Sequence, residues 1–352
     1  MSQDLGLLED VQNLRKKIEA VELPDDLRLK INDMLNRLER SAKHGFYSEE
    51  YERTSHYIDW ICNIPWFNRS QDQIDLDQAH QILNRHHYGL DSVKQKILEY
   101  LATIKLNINN LDNIASAPIV CLVGLAGTGK TTFAYALAEA MGRKIYRIPF
   151  GGMGSARDLR GQSRLHLEAE PGLIVRALVE AGTKNPVILL DEIDRVAAET
   201  RADIMGVLLA LLDPGQNKAF LDHYIDYPLN LNEVLFIATA NNTDNISTAV
   251  ANRLEMIHLP TYSDEEKIII AKTYLLPSAL SEAGLPKDAI TIEESLWPSI
   301  VRPLGFDSGI RVLKRAIDTL TRKVAFEFVK GQVTHVHITQ DNVFQYFEQQ
   351  YY

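Results

Sequence analysis

The chain has 352 residues, 45% hydrophobic and 24% charged, which is enough apolar material for two or three domains with cores of their own. No apolar run approaches the length of a membrane span, and residues 1–17 lack the basic-then-apolar order of a signal peptide, so a cytoplasmic protein with no membrane contact is expected. A formal net charge of -10 argues against non-specific adhesion to nucleic acid, and the two cysteines, Cys62 and Cys121, lack metal-ligand spacing, so neither a disulfide nor a zinc site is expected.

From the N-terminus, Leu7, Val11, Leu14, Ile18 and Val21 recur at helical spacing, and Leu27, Ile31, Met34 and Leu38 repeat the pattern after a break at Leu23-Pro24-Asp25. A third helix is expected from Ser48 as N-cap through Ile58 and Ile61 to Ile64-Pro65. Narrow apolar stripes on such polar helices suggest a projecting hairpin or small bundle, packed on itself or on other copies. A helix spans Leu76 to Leu83, the turn His87-Tyr88-Gly89-Leu90 follows, and Val93, Ile97 and Leu101 share the face of the next helix. From about 117 to 260, short apolar runs at 119–123, 144–148, 187–190, 234–239 and 255–259 alternate with helical stretches, which predicts an α/β fold with a parallel sheet covered on both faces. Past Pro260, Ser263-Asp264-Glu265-Glu266 reads as a capping box, and the rest is mainly helix with one strand-like piece at 333–338. The expected division is therefore 1–66 helical, 67–260 α/β and 261–352 a small, mainly helical subdomain.

Gly124-Leu125-Ala126-Gly127-Thr128-Gly129-Lys130-Thr131, with Thr132 beside it as a further expected nucleotide contact, lies between the first apolar strand and a helical stretch through Met141. Its glycines let backbone N–H groups turn toward phosphate oxygens, Lys130 supplies a compact positive charge, and Thr131 offers a hydroxyl to Mg²⁺, so ATP or GTP is the expected ligand. Asp191 and Glu192 end the buried run Val187-Ile188-Leu189-Leu190. Adjacent carboxylates there suit one to the metal, Asp191, and one to the attacking water, Glu192. Asn241 ends another buried strand, where a neutral amide can donate to the water or γ-phosphate without adding charge.

In this order the pieces resemble the AAA+ ATPases. The text around them, including Pro65-Trp66, His87-Tyr88-Gly89-Leu90, Arg160-Gly161, Pro171-Gly172, Leu212-Asp213-Pro214, Asp222-His223-Tyr224 and Ala238-Thr239-Ala240-Asn241, resembles the ATPase module of the Lon proteases over nearly the whole chain. That resemblance implies a homohexameric ring using ATP and Mg²⁺. It also implies a mainly helical lid over the nucleotide, and it assigns His87, Tyr88 and Gly89 to the adenine pocket. By the same likeness Arg253 matches an arginine finger serving the neighbouring subunit, and Arg311 matches the second sensor arginine of the lid.

Two departures qualify the likeness. Lon chains continue into a protease domain with a Ser–Lys dyad, whereas this sequence stops at Tyr352, so no peptide cleavage by that chemistry is expected of it; the globular domain that precedes the helices in most Lon proteins is missing too. In the loop that grips substrate in Lon rings, His166 stands at the aromatic position, Leu167 at the aliphatic one, and Glu168 replaces a small residue. Acidic residues in a channel should disfavour acidic substrates. The leading expectation is ATP-driven remodelling of polypeptide substrates, with a peptidase on another chain as a partner. A nucleotide-switched scaffold that binds a partner through the N-terminal helices, and a nucleic-acid-associated ATPase, are the alternatives.

Overall fold

A computed structural model describes residues 2–42, 49–107, 119–166, 168–302 and 309–347. Its first three helices are α1 (Ser2–Glu19), α2 (Asp25–Ala42) and α3 (Glu49–Asn63). Val11, Leu14 and Ile18 of α1 pack with Leu27, Ile31, Leu35 and Leu38 of α2 and with Tyr57, Ile58 and Ile61 of α3. Leu35 rather than Met34 continues the buried stripe, because four residues after Ile31 keep the side chain on the same face. Ser48, the expected N-cap, lies outside the described residues.

The bundle is docked rather than projecting. Its core merges with one face of the sheet domain. Tyr57 is fully buried and donates its hydroxyl to Ile225 O at 3.1 Å, and the Tyr227 hydroxyl donates to Asp26 Oδ1 at 2.7 Å. The narrow stripes point to a projecting hairpin or small bundle because some of the docking side chains are aromatic and polar, and a hydropathy pattern does not count them as core.

After α4 (Leu76–His86) and α5 (Asp91–Asn107) comes a five-stranded sheet of β1 (Ile119–Val123), β2 (Ile145–Pro149), β3 (Val187–Asp191), β6 (Leu235–Ala240) and β7 (Leu254–His258), ordered β2-β3-β6-β1-β7. Every pairing is parallel. A small antiparallel ribbon, β4 (Phe220–Leu221) and β5 (Pro228–Leu229), stands apart from it. Alternation along each strand divides the interior: Cys121, Val123, Ile188 and Leu190 join the core shared with the N-terminal bundle, while Val120, Leu122, Val187 and Leu189 pack on the other face with α4, α5 and α6 (Lys130–Met141).

A third core lies beyond the sheet, built by Leu280, Trp297, Ile300, Leu313, Ile317, Leu320 and Val324 around the helix Arg311–Val329. The capping box at Ser263 is present in both directions and starts the helix Asp264–Ile270. The strand-like piece at 333–338 forms β9 (Val336–Ile338), parallel to β8 (Ile290–Ile292).

Candidate nucleotide site

Strand order alone brings three of the expected segments together. In the sheet β6 lies between β1 and β3, and the register pairs Val123 with Ala240 and Leu190 with Ala238. The loop after β1, the acid pair at the end of β3 and the amide after β6 therefore share the carboxyl edge of the sheet, where open parallel sheets bind ligands.

The loop itself is shaped by glycine. Gly127 and Gly129 sit at φ +84° and +93°, in the left-handed region that a side chain resists. A Cβ on Gly124 would lie 2.8 Å from Leu259 O, so the chain closes on its neighbour only with hydrogen there. Thr128 is buried and donates its hydroxyl back to Leu125 O at 2.9 Å. Gly129 caps α6 without a side-chain hydrogen bond, which leaves the amide donors of the first helical turn for an anion.

Lys130 directs its ammonium into the loop, donating to Gly124 O at 2.7 Å, Leu125 O at 3.0 Å and Asn241 Oδ1 at 3.0 Å. Burial pushes this ammonium below the ordinary lysine value, against the opposing pull of Glu192, Asp194 and Asp191. The Asn241 amide nitrogen is buried with no acceptor among the described residues. A buried orphan donor beside a lysine and an open helix start is what a phosphate-binding cradle requires, so these residues fit a triphosphate.

Asp191 is buried and tightly held. Its Oδ1 accepts from Thr239 Oγ1 at 2.5 Å and lies 3.3 Å from Thr131 Oγ1, while its Oδ2 accepts from Arg147 Nε at 2.6 Å. The hydroxyl of Thr131 and an anionic oxygen at one point form a hard-oxygen set suited to Mg²⁺. Glu192 leaves the strand with φ +57°, a left-handed turn for a non-glycine residue, and its N–H donates to Thr239 Oγ1 at 2.9 Å. Strain of this kind persists only where surrounding contacts enforce it. Here Thr239 enforces it, and Glu192 Oε2 ends 3.5 Å from the Arg195 guanidinium.

Thr239 and Arg147 were missed by sequence reasoning. A lone hydroxyl inside Leu235-Phe236-Ile237-Ala238-Thr239-Ala240 was the available signal for the first. Nothing in the sequence marks Arg147, since β2 becomes the neighbour of β3 only through the fold.

The remaining expected residues occupy three other places. His87 is buried, stacked on Phe133 at 3.5 Å between ring centres and 7° between planes, with its Cε1 3.0 Å from where a Gly129 Cβ would be. It braces the loop from behind, while Tyr88 and Gly89 are half-buried, and a Cβ on Gly89 would meet Glu266 Oε1 of the lid at 3.3 Å. Arg311 opens the long lid helix next to the loop. Ile310 N donates to Gly127 O at 3.2 Å, and a Cβ on Gly309 would lie 2.5 Å from Ala126 O. The Arg311 side chain is exposed and makes no ion pair among the described residues.

Arg253 and His166 are not brought to this cluster. Ile119 N, at the first residue of β1, donates to Arg253 O at 3.3 Å, so Arg253 stands at the amino end of the strand whose carboxyl end carries the loop. Strand rise puts roughly 16 Å between those ends. His166 lies exposed in a turn closed by its N–H to Ser163 O at 3.0 Å; Leu167 lies outside the described residues.

Residues 120–261 match the ATPase family associated with various cellular activities (AAA), and residues 281–336 match the Lon protease AAA+ ATPase lid domain. Lon protease 2 of Thermus thermophilus is 40% identical over 342 residues, covering 95% of this chain and 42% of that protein. Lon protease of Lawsonia intracellularis is 40% identical over 336 residues, covering 95% of this chain and 39% of its own length. The chain thus spans about two fifths of the length of these relatives.

Proposed function

Because the chain belongs to the Lon protease family, through its AAA+ ATPase module and Lon-type lid, we propose that it hydrolyses ATP with Mg²⁺ in a ring of identical subunits and uses the cycle to remodel polypeptides. Lys130 and the amides at the start of α6 bind the phosphates. Thr131 and Asp191 hold the metal, which when bound neutralises charge building on the phosphoryl oxygens. Asn241, its oxygen already committed to Lys130, uses its free N–H to orient the attacking water or the γ-phosphate. Glu192 accepts the proton of that water at its carboxylate. Arg311, one residue beyond the backbone contact with Gly127, carries the lid to the phosphates, and His87, Tyr88 and Gly89 form the wall between the loop and the lid.

The position of Arg253 carries this reading. Held at the opposite end of β1 from its own loop, it serves the site of an adjacent subunit, where a guanidinium stabilises transition-state charge worth roughly 10³ to 10⁵ in rate. Hydrolysis then depends on assembly.

Remodelling is favoured over the scaffold reading by the way α3 meets the substrate-loop turn. The Arg164 guanidinium lies 3.9 Å from the Tyr57 ring centre, and His56 Nε2 is 3.0 Å from Glu170 Oε1. A turn tied at both ends to the N-terminal bundle moves with it, as a force-transmitting part should. The test is ATP turnover measured against protein concentration, with and without an unfolded polypeptide. Turnover rises with both, and Lys130→Ala, which removes a charge-assisted contact, lowers nucleotide affinity roughly 10- to 100-fold. Turnover indifferent to polypeptide, with intact nucleotide binding, supports the scaffold instead.

A further inference from the structure

A cavity of about 660 Å³ opens beside the turn that carries His166, and its charge is one-sided. Arg157 enters from the short helix Arg157–Arg160, Arg164 and His166 from the turn, and His223 from the loop between β4 and β5. The one carboxylate in its wall, Asp226, is already engaged, 3.1 Å from Lys30 Nζ and 3.9 Å from Arg164. Arg157, His166 and His223 are exposed and make no ion pair among the described residues. In a chain of net charge -10, this local excess of cations is a property of the site and not of the molecule.

The walls are built in advance. Asp222, fully buried, accepts from Gly172 N at 2.8 Å, Tyr224 N at 2.8 Å and Ile225 N at 3.0 Å, and His223 N donates to Arg160 O at 2.7 Å. Gly161, at φ +72°, passes so close that a Cβ would stand 2.8 Å from Asp222 Oδ1. These bonds lock the β4–β5 loop to the helix that bears Arg157, so the backbone that presents Arg157 and His223 is set before a ligand arrives.

The acidic side chains of the same segment line a different cavity. Glu168 and Glu170, with Glu52, border a second cavity of about 490 Å³ that shares Arg164 and His166 with the first. Glu168 is not among the residues that line the first cavity, so the first cavity has its own charge, apart from the acidic residue on which the sequence expectation rests. Leu165, 86% exposed, stands at its rim and offers an aliphatic contact.

We propose that this cavity is a subsite for the polypeptide substrate that selects segments in which Asp or Glu carboxylates alternate with aliphatic residues; the proposal rests on the remodelling reading above. Carboxylates complement two guanidinium groups and two imidazoles, and the apolar neighbour covers Leu165.

The test uses the full chain with nucleotide and three fluorescently labelled unstructured peptides of equal length, Glu/Leu, Gln/Leu and Lys/Leu. Anisotropy titrations give the Glu/Leu peptide an affinity about tenfold above Gln/Leu, with a gap that narrows in high salt. Arg157→Glu and, separately, His223→Glu, both exposed positions, weaken Glu/Leu binding about tenfold and leave Gln/Leu binding and ATP affinity unchanged. Equal binding of the three peptides, or Arg157→Glu and His223→Glu proteins that still prefer Glu/Leu while unfolded protein stimulates turnover, overturns the subsite and leaves the remodelling reading standing. A single-stranded oligonucleotide that displaces the acidic peptide at lower concentration than unlabelled Glu/Leu overturns it in favour of nucleic acid. Peptides of every charge failing to bind, with turnover unresponsive to unfolded protein, overturns both.

Discussion

The Arg253 guanidinium donates to Asp213 Oδ2 at 2.8 Å and to Ala249 O at 3.0 Å, which fixes the side chain at the amino end of the sheet, away from Lys130. Hydrogen bonding from Arg253 holds the Asp213 carboxyl below the usual carboxylate range, so the pair persists at neutral pH. Two acceptors aim a planar fork that a lysine cannot reproduce. Arg253→Lys and Arg253→Ala should both lose turnover, by roughly 10³-fold for alanine, with ATP affinity nearly unchanged. Steady-state kinetics with separate nucleotide-binding titrations check this; a Lys variant at full rate would falsify the bidentate role.

Glu192→Gln keeps the size of the side chain and removes its capacity to accept a proton. ATP should bind as before while turnover falls roughly 10²- to 10⁴-fold. Single-turnover measurements distinguish this from slow product release; an unaltered chemical step excludes Glu192 as the base.

Thr239 is the residue on which both acids hang, donating to Asp191 Oδ1 and accepting from Glu192 N–H. Thr239→Val preserves shape, leaves Glu192 N–H without its acceptor and takes the shorter of two hydroxyl donors from Asp191 Oδ1, at a cost of about 1–3 kcal/mol. Denaturant unfolding should register that loss and turnover should fall with it, whereas Thr239→Ser should restore both. Serine failing where threonine works would show that the methyl packing, and not the hydroxyl, matters.

The difference between Thr239 and Lys130 shows what a sequence displays. Lys130, Thr131 and the glycines around them are contiguous, and their chemistry depends on local backbone, so the loop was legible before any fold was known. The five apolar runs marked the strands to within a residue or two: in β1, β3 and β6 burial on both faces leaves an unbroken hydrophobic signature, and the edge strands β2 and β7 keep enough apolar residues beside Arg147, Glu255 and His258 to show. Strand order was not legible, and with it went Arg147 and Thr239, whose partners lie 44 and 48 residues away. The docking of α3 was hidden for the same reason, since Tyr57 reaches Ile225 across 168 residues of chain.

Burial of the His87 imidazole against Phe133 pushes its pKa from 6.5 down to about 3. The unfolded chain takes up a proton below 6.5 that the folded chain refuses until about 3, so in that window the unfolded state binds more protons and stability rises with pH. Acidification through it costs up to about 1.4 kcal/mol per pH unit from this group alone. Denaturant midpoints should fall less steeply between about pH 6 and 4 in His87→Gln than in the parent chain; identical slopes would place the acid sensitivity elsewhere.

Mixing two inactive proteins probes the shared site most directly. At an ATP concentration near the parental affinity, Lys130→Ala subunits, weakened roughly 10- to 100-fold in binding, leave their loops largely empty yet still present Arg253, and Arg253→Ala subunits bind nucleotide yet present no guanidinium. Each alone should turn over ATP at background, and the mixture should recover a substantial fraction of parental activity from the interfaces that pair an intact loop with an intact arginine. A mixture no more active than its components, in rings shown to contain both, would contradict a site completed by the neighbouring subunit.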